Sequence, residues 1–393
     1  MGTRAALRNA EPLAAMGQDE CLADPAAEAI RSLRSAGRAD SRRSRASADV
    51  TRPPEMLFRE AVLHLKTLER MHLTARPRAQ EFLGWVLLYP NYRLPPQVKI
   101  EFENLERLPA EPVIYAMNHT DRYNYWPFQF RLWRDLQRFT ATWVKGKYYE
   151  KRLVGKFMEA TNNIPTVSRG YLLSKDFQLA VGRVPNKIEY ETLRHWVDAA
   201  ALDRRVAQPE IELPRALLET PRNTLGVDFR PADESWAAYI NRLFERMMQR
   251  FVQLNEEGFA RNLDLLIFPQ GTRSKRILPG HIGLAQMALR YRKTILPIGC
   301  SGSDQCYPGS SPVAKGGRIV YRFGEPIHWR DVPQFHIDED FEPFSPRAEA
   351  LYRDKFQGLV DLVMDKINDL VDPEYRYSPE AGDEAEKGAE RFL

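Results

Sequence analysis

Cysteine is scarce. The 393 residues hold three: Cys21, Cys300 and Cys306. An odd count with one member in a polar terminal stretch excludes a disulfide framework. Cys300 and Cys306 do not match the common zinc-ligand spacings, so a reducing compartment and no metal site are expected. Long apolar runs are missing too. No stretch of about 18 consecutive apolar residues occurs, which excludes a membrane-spanning helix. Net charge is small, +4 from 57 basic and 53 acidic side chains, and gives no support for a nucleic-acid partner. The start, MGTRAALRNA, lacks the apolar core of a secretory signal, and Ala6 stands where an N-myristoylation signal wants Ser or Thr. Neither a dinucleotide fingerprint nor a P-loop is present, and no cofactor is expected.

What is there suffices for a core: 43% of residues are hydrophobic and 28% charged. Residues 1–54 are rich in Ala, Arg, Ser and Asp, and such a segment cannot bury enough apolar surface to order itself. Six arginines between Arg31 and Arg45 face one acid, Asp40. Two readings stay open there, a solvated tail and an electrostatic tether to anionic lipid. A polar acidic tail is expected over 372–393.

Residues 55–96 read as an amphipathic helical, membrane-facing entry. Leu57, Phe58, Ala61, Val62, Leu65, Leu68 and Leu73 recur at helical spacing. A second apolar piece, Phe82 to Tyr89, is too short to span a bilayer and suits either an interfacial surface or packing onto the core.

From residue 97 to 371 the pattern predicts an α/β domain with a mostly parallel central sheet flanked by helices. Val98, Ile100 and Phe102 alternate with charge. Buried strands are expected at Pro112–Met117, Thr140–Val144, Leu263–Phe268, Thr294–Gly299 and Arg318–Phe323. Helices are expected at Trp126–Gln137, Lys151–Ala160, Trp236–Leu254, His281–Tyr291 and Pro346–Val371. Residues of about 170–257 are read as an insertion, either an elaboration of the surface or a cover for a pocket.

Three polar clusters carry chemistry. Asn118-His119-Thr120-Asp121 follows a buried strand, where open α/β sheets place ligands. His119 can act as a base at neutral pH if Asp121 or Asn124 holds its tautomer. Phe268-Pro269-Gln270-Gly271-Thr272-Arg273-Ser274 also follows a buried strand. Gly271 lets backbone approach a ligand, and Arg273 suits a phosphate. Ile164 to Arg169 ends in a further Arg.

Taken in order, these segments resemble the glycerol-phosphate and lysophosphatidic acid acyltransferase family. Its first motif, Asn-His-x4-Asp, appears as Asn118-His119 with Asn124 at the Asp position. Its second matches Ile164 to Arg169. Its third, Phe-Pro-Glu-Gly-Thr-Arg-Ser, appears with Gln270 in place of Glu, and its fourth matches Ile295-Leu296-Pro297-Ile298. The resemblance spans roughly Val98 to Pro326 apart from the insertion. It implies acyl transfer from acyl-CoA or acyl carrier protein to a hydroxyl of a glycerol-phosphate or lysophospholipid acceptor, in phospholipid biosynthesis. His119 would be the general base, oriented by Asn124 or Asp121. Asn118, Arg169, Gln270, Gly271, Thr272, Arg273 and Pro297 would bind substrate. The expected location is cytoplasmic, peripheral at the inner face of a membrane.

Both departures replace an acid by an amide, so the site is more positive than the family's by two charges. A more anionic acceptor is one expectation, and lipid or acyl-carrier binding without turnover is the other.

Overall fold

The computed structural model describes residues 62–202 and 211–379. The expected arginine tail over 1–54, the start of the entry helix and the end of the acidic tail lie outside the described residues.

The chain enters through α1 (Leu65–Arg70), α2 (Arg78–Leu83) and α3 (Tyr89–Arg93), the last two joined by a π-helical turn over Gly84–Leu88. Next come β1 (Val98–Glu103), β2 (Ile114–Met117), α4 (Tyr125–Leu136), β3 (Thr140–Lys145), α5 (Arg152–Ala160) and β4 (Asn163–Thr166). The helices α6 (Arg169–Val181), α7 (Lys187–Ala200), α8 (Arg215–Glu219) and α9 (Trp236–Ala260) follow. The chain then forms β5 (Asp264–Ile267), α10 (Gly283–Tyr291), β6 (Ile295–Ser301), α11 (Ser303–Cys306), β7 (Gly317–Phe323) and α12 (Pro346–Leu370).

The described strands form one seven-stranded sheet in the order β1-β7-β6-β2-β5-β3-β4. Only the β6–β7 pairing is antiparallel. The mostly parallel α/β fold expected from the sequence is therefore the fold observed. β2, β5 and β6 are buried along their whole length. Helices cover both faces of the sheet there, which is why these strands read as unbroken apolar runs rather than alternating ones.

Because β2, β5, β3 and β4 are mutually parallel, their carboxyl ends emerge on one side of the sheet. At those ends stand His119, Pro269–Arg273, Lys145 and Ser168–Arg169 respectively. The topology thus gathers the motif loops along one sheet edge, where ligands of open α/β sheets bind.

Three expectations need correction. The single entry helix over Leu57–Leu73 is not continuous. Residues 62–64 are not helical, and the chain turns extended again at Met71. Leu63, Leu65, Leu68, Met71 and Leu73 are all buried in the main core. Their apolar character reflects packing under α9, not an amphipathic face. The acidic tail starts later than residue 372. Tyr375 is buried, its hydroxyl donates to Asp304 Oδ1 at 2.6 Å, and its carbonyl accepts from Ile277 N at 2.9 Å.

The third correction concerns the insertion. It is part of the core rather than a surface addition. Leu172, Phe177, Leu193, Val197, Tyr239 and Leu243 are buried within the same cluster as β2 and β5. Its anchor is Asp176, which is fully buried. That carboxylate accepts from Arg222 Nη2 at 2.6 Å, Trp236 Nε1 at 2.7 Å and Thr224 Oγ1 at 3.2 Å. A carboxylate taken out of water survives only when paired and hydrogen-bonded in this way.

Candidate active site

The loop after β2 begins with Asn118. Its Nδ2 donates to Cys300 O at 2.9 Å, and its Oδ1 accepts from Cys300 N at 2.7 Å. Both functions of the amide are used on the β6 backbone. Asn118 therefore braces β2 against β6 and does not line the cleft, where a substrate-binding residue was expected.

His119 follows and points into a cleft. Its Nδ1 lies 3.0 Å from Oδ1 of Asn124, the residue just before α4. Asn124 is fully buried, and its orientation is fixed from the other end. Its Nδ2 donates to Asn118 O at 2.8 Å, and its own carbonyl accepts from Tyr321 Oη at 2.5 Å. With Nδ2 committed to a carbonyl, the oxygen must face the imidazole. His119 then carries its proton on Nδ1 and keeps the Nε2 lone pair for the cleft. The ring stacks on Phe268, centroids 4.2 Å apart.

The imidazole keeps some solvent contact through the cleft, yet burial pushes its pKa down to about 3. The Asn124 hydrogen bond opposes that shift, and the nearby charges of Arg273 and Lys145 add to it. The ring is neutral at physiological pH.

Gln270 is buried beside it rather than in the cleft. Its Oε1 accepts the His119 backbone N–H at 3.2 Å, and its Nε2 faces Arg276 O at 3.5 Å. Ser274 N donates to His119 O at 2.9 Å. The two motif loops are thus sewn together across the β2–β5 pair. Gln270 holds the His119 backbone from outside the cleft lining, where a substrate-binding residue was expected.

Asp121 does not substitute for the missing acid. Its Oδ1 accepts from Tyr123 N at 2.8 Å and its Oδ2 from Thr120 Oγ1 at 2.9 Å. It closes a turn, as Asp commonly does. Burial raises its pKa, with Ser303, Tyr123 and Thr120 pulling the other way. Pro297 sits mid-strand in β6 opposite Ala116, within the sheet and away from the cleft.

The cleft has a volume of about 650 Å³. It brings together four of the expected residues besides His119: Arg169, Gly271, Thr272 and Arg273. Arg169 opens α6 behind the Ser168 cap. Its Nε donates to Asn241 Oδ1 at 3.0 Å, and its guanidinium lies 4.3 Å from the Phe244 ring centroid. Burial lowers its pKa, and Glu349 opposes this. Gly271 has φ +66, and a Cβ there would sit 2.8 Å from His281 Cδ2. Both the backbone and the space require glycine.

Sequence reasoning missed several lining residues. Lys145 ends β3 and Lys147 follows it, Arg194 comes from α7, and Glu349 and Arg353 come from α12. Among the described residues that line the cleft, six bases face one acid. Apolar side chains line the cleft as well: Trp143, Phe244, Met248, Phe251 and Phe344. Phe244, Met248 and Phe251 recur at three- and four-residue steps along α9, a periodicity that marked them as core. One feature of the entry segment is separate from this cleft. Phe82, Trp85, Val86 and Tyr89 are large apolar side chains left exposed, Phe82 at 69%. No described helix is long and apolar enough to cross a membrane.

No protein-family model matches the chain. The chain is similar to a 1-acyl-sn-glycerol-3-phosphate acyltransferase from Cocos nucifera, 33% identical over 96 residues. Those residues are 24% of this chain and 30% of that protein, so the match spans about a third of the relative. This partial match agrees with the acyltransferase resemblance. Among solved structures, the chain is similar to the 1-acyl-sn-glycerophosphate (LPA) acyltransferase PlsC from Thermotoga maritima, with a TM-score of 0.32 and 11% identity. That alignment covers 75% of this chain and 79% of that one.

Proposed function

We propose, from the acyltransferase resemblance and the geometry around His119, that this chain moves a fatty acyl group from acyl-CoA or acyl carrier protein to a hydroxyl of a glycerol-phosphate or lysophospholipid acceptor. The observation that carries this reading is the His119 Nδ1–Asn124 Oδ1 hydrogen bond of 3.0 Å at the floor of a cationic cleft. A neutral imidazole with Nδ1–H engaged presents Nε2 as a base. Nε2 takes the acceptor hydroxyl proton as the oxygen attacks the thioester carbonyl. The tetrahedral intermediate collapses, the C–S bond breaks, and the thiolate recovers the proton from Nε2. Arg169 and Arg273 suit the acceptor phosphate, and the wall formed by Phe244, Met248 and Phe251 suits the acyl chain.

The exposed Phe82, Trp85, Val86 and Tyr89 fit a bilayer interface, which supports peripheral contact with a membrane, and the compartment we propose is the cytoplasm at its inner face. Incubating the full chain with radiolabelled acyl-CoA and a panel of acceptors tests the reading. Labelled acylated product supports it. No product with any glycerol-phosphate or lysophospholipid acceptor, and with either donor, rejects it.

One observation favours a second reading, binding of lipid or acyl carrier without turnover. The groups holding His119 are both amides, so no carboxylate stabilises the imidazolium that forms during transfer. Tight, saturable lipid binding with no acyl product is the result that selects it.

A further inference from the structure

The cleft holds more positive charge than one phosphate monoester can use. Arg169 and Arg273 suffice for a single dianion, yet four further bases line the same space. All four lie outside the four motifs, and two of them come from helices far along the chain. Arg194 lies on α7, and Arg353 lies on α12 four residues after Glu349. Glu349, Arg353 and Gln357 recur at four-residue spacing and all line the cleft, so α12 presents a polar stripe to it.

These outer groups are electrically connected to the inner ones. Glu349 raises and Arg194 lowers the pKa of Arg169, so both act on the inner site. Arg353 has no ion-pair or hydrogen-bond partner among the described residues. Arg194 has only an i,i+4 pair with Asp198 at 2.6 Å, in which both side chains are well exposed. Such a pair contributes little and exchanges readily for a better anion. Like charges gathered in a cleft with apolar walls focus a positive potential and attract an anion.

We propose that the cleft has a second phosphate-binding subsite at Arg194 and Arg353, occupied together with the subsite at Arg169 and Arg273. The inference rests on the acyl-transfer reading for the identity of the inner ligand, but not for the existence of the outer site. The shared chemistry is a second phosphate-type anion within one cleft of about 650 Å³. It has two sources, an acceptor bearing two phosphate groups or the nucleotide phosphates of the acyl donor.

Calorimetric titration of the full chain at fixed salt tests this without turnover. The probes are glycerol 3-phosphate, 1,3-propanediol bisphosphate, and coenzyme A added to protein saturated with glycerol 3-phosphate. The proteins are wild type and the double variant Arg194→Gln, Arg353→Gln, with circular dichroism to check folding. One expected result is that the bisphosphate binds wild type about tenfold or more tightly than the monophosphate, as one to two charge-assisted contacts would give, and loses that advantage in the variant. This assigns the second anion to the acceptor. The other is that coenzyme A binds alongside glycerol 3-phosphate and weakens about tenfold or more in the variant. This assigns it to the donor. Equal affinities of wild type and variant for both probes overturn the proposal. Acyl transfer that fails while these differences persist rejects the acyl-transfer reading and leaves the second subsite standing.

Discussion

Oδ1 of Asn124 meets Nδ1 of His119 at 3.0 Å, while Nδ2 of the same amide donates to the Asn118 carbonyl at 2.8 Å. Position 124 therefore uses an acceptor and a donor at once. A carboxylate supplies only the first. The surrounding backbone is arranged for an amide, and the same holds at Gln270, which accepts from His119 N and faces Arg276 O. The replaced acids are built into the site rather than simply lost from it.

Restoring the acid at position 124 should then carry a cost. Asn124→Asp places a carboxylate oxygen against the Asn118 carbonyl in a fully buried position. We expect a loss of about 1–3 kcal/mol in stability, the penalty for an unsatisfied buried group. Urea unfolding measures it. The His119 pKa should rise in the same variant, as read by the NMR shifts of its ring. A variant as stable as wild type would mean that the amide orientation does not matter.

Acid should weaken the protein through His119. Its folded pKa of about 3 lies below the ordinary value of 6.5. Between those limits the unfolded chain binds a proton that the folded chain refuses, so stability falls as pH drops through the window. Unfolding free energy measured from pH 7 to pH 4 should show this slope, and His119→Gln should flatten it. An unchanged slope would place the acid sensitivity elsewhere.

The insertion should unfold with the domain. Asp176→Ala leaves Arg222 buried without its partner, since their side chains are only 0% and 7% exposed. Removing one member of a buried pair costs about 3–5 kcal/mol. A single cooperative transition shifted to lower urea is expected. Selective proteolysis of residues 170–257 with an intact sheet would contradict the shared core.

The exposed aromatic surface should govern attachment to membranes. Phe82 and Trp85 are 69% and 56% exposed, and Trp85 rests edge-on against Trp133. Replacing both with Asp removes about 1.5–3 kcal/mol of apolar burial per side chain at an interface. Flotation with anionic phospholipid vesicles should recover wild type and lose the double variant. Equal flotation would remove this surface from the account.

The parts of the fold legible in the sequence were those whose environment imposes a simple pattern. β2, β5 and β6 are covered on both faces, so Pro112–Met117, Leu263–Phe268 and Thr294–Gly299 stood out as mainly apolar runs. His119, Arg169 and Arg273 were legible because each follows a strand end in a motif. The helix α6 was not, because Tyr171, Leu172, Leu173, Ser174, Lys175, Asp176 and Phe177 are all buried, leaving no single apolar stripe. Arg194 and Arg353 were invisible as site residues, since their arrival at the cleft depends on how α7 and α12 pack. Asn118, Asn124 and Gln270 were recognised as motif positions, but only the structure shows what occupies their amides: backbone groups, and for Asn124 Oδ1 the His119 imidazole.

The central claim is that Nε2 of His119 is the base for acyl transfer. Product formation from radiolabelled acyl-CoA, compared between wild type and His119→Ala at saturating acceptor, tests it most directly. The account predicts transfer by wild type and a fall of about 10²–10⁴-fold in the variant, the usual contribution of a positioned general base. Transfer at an undiminished rate by His119→Ala would contradict it.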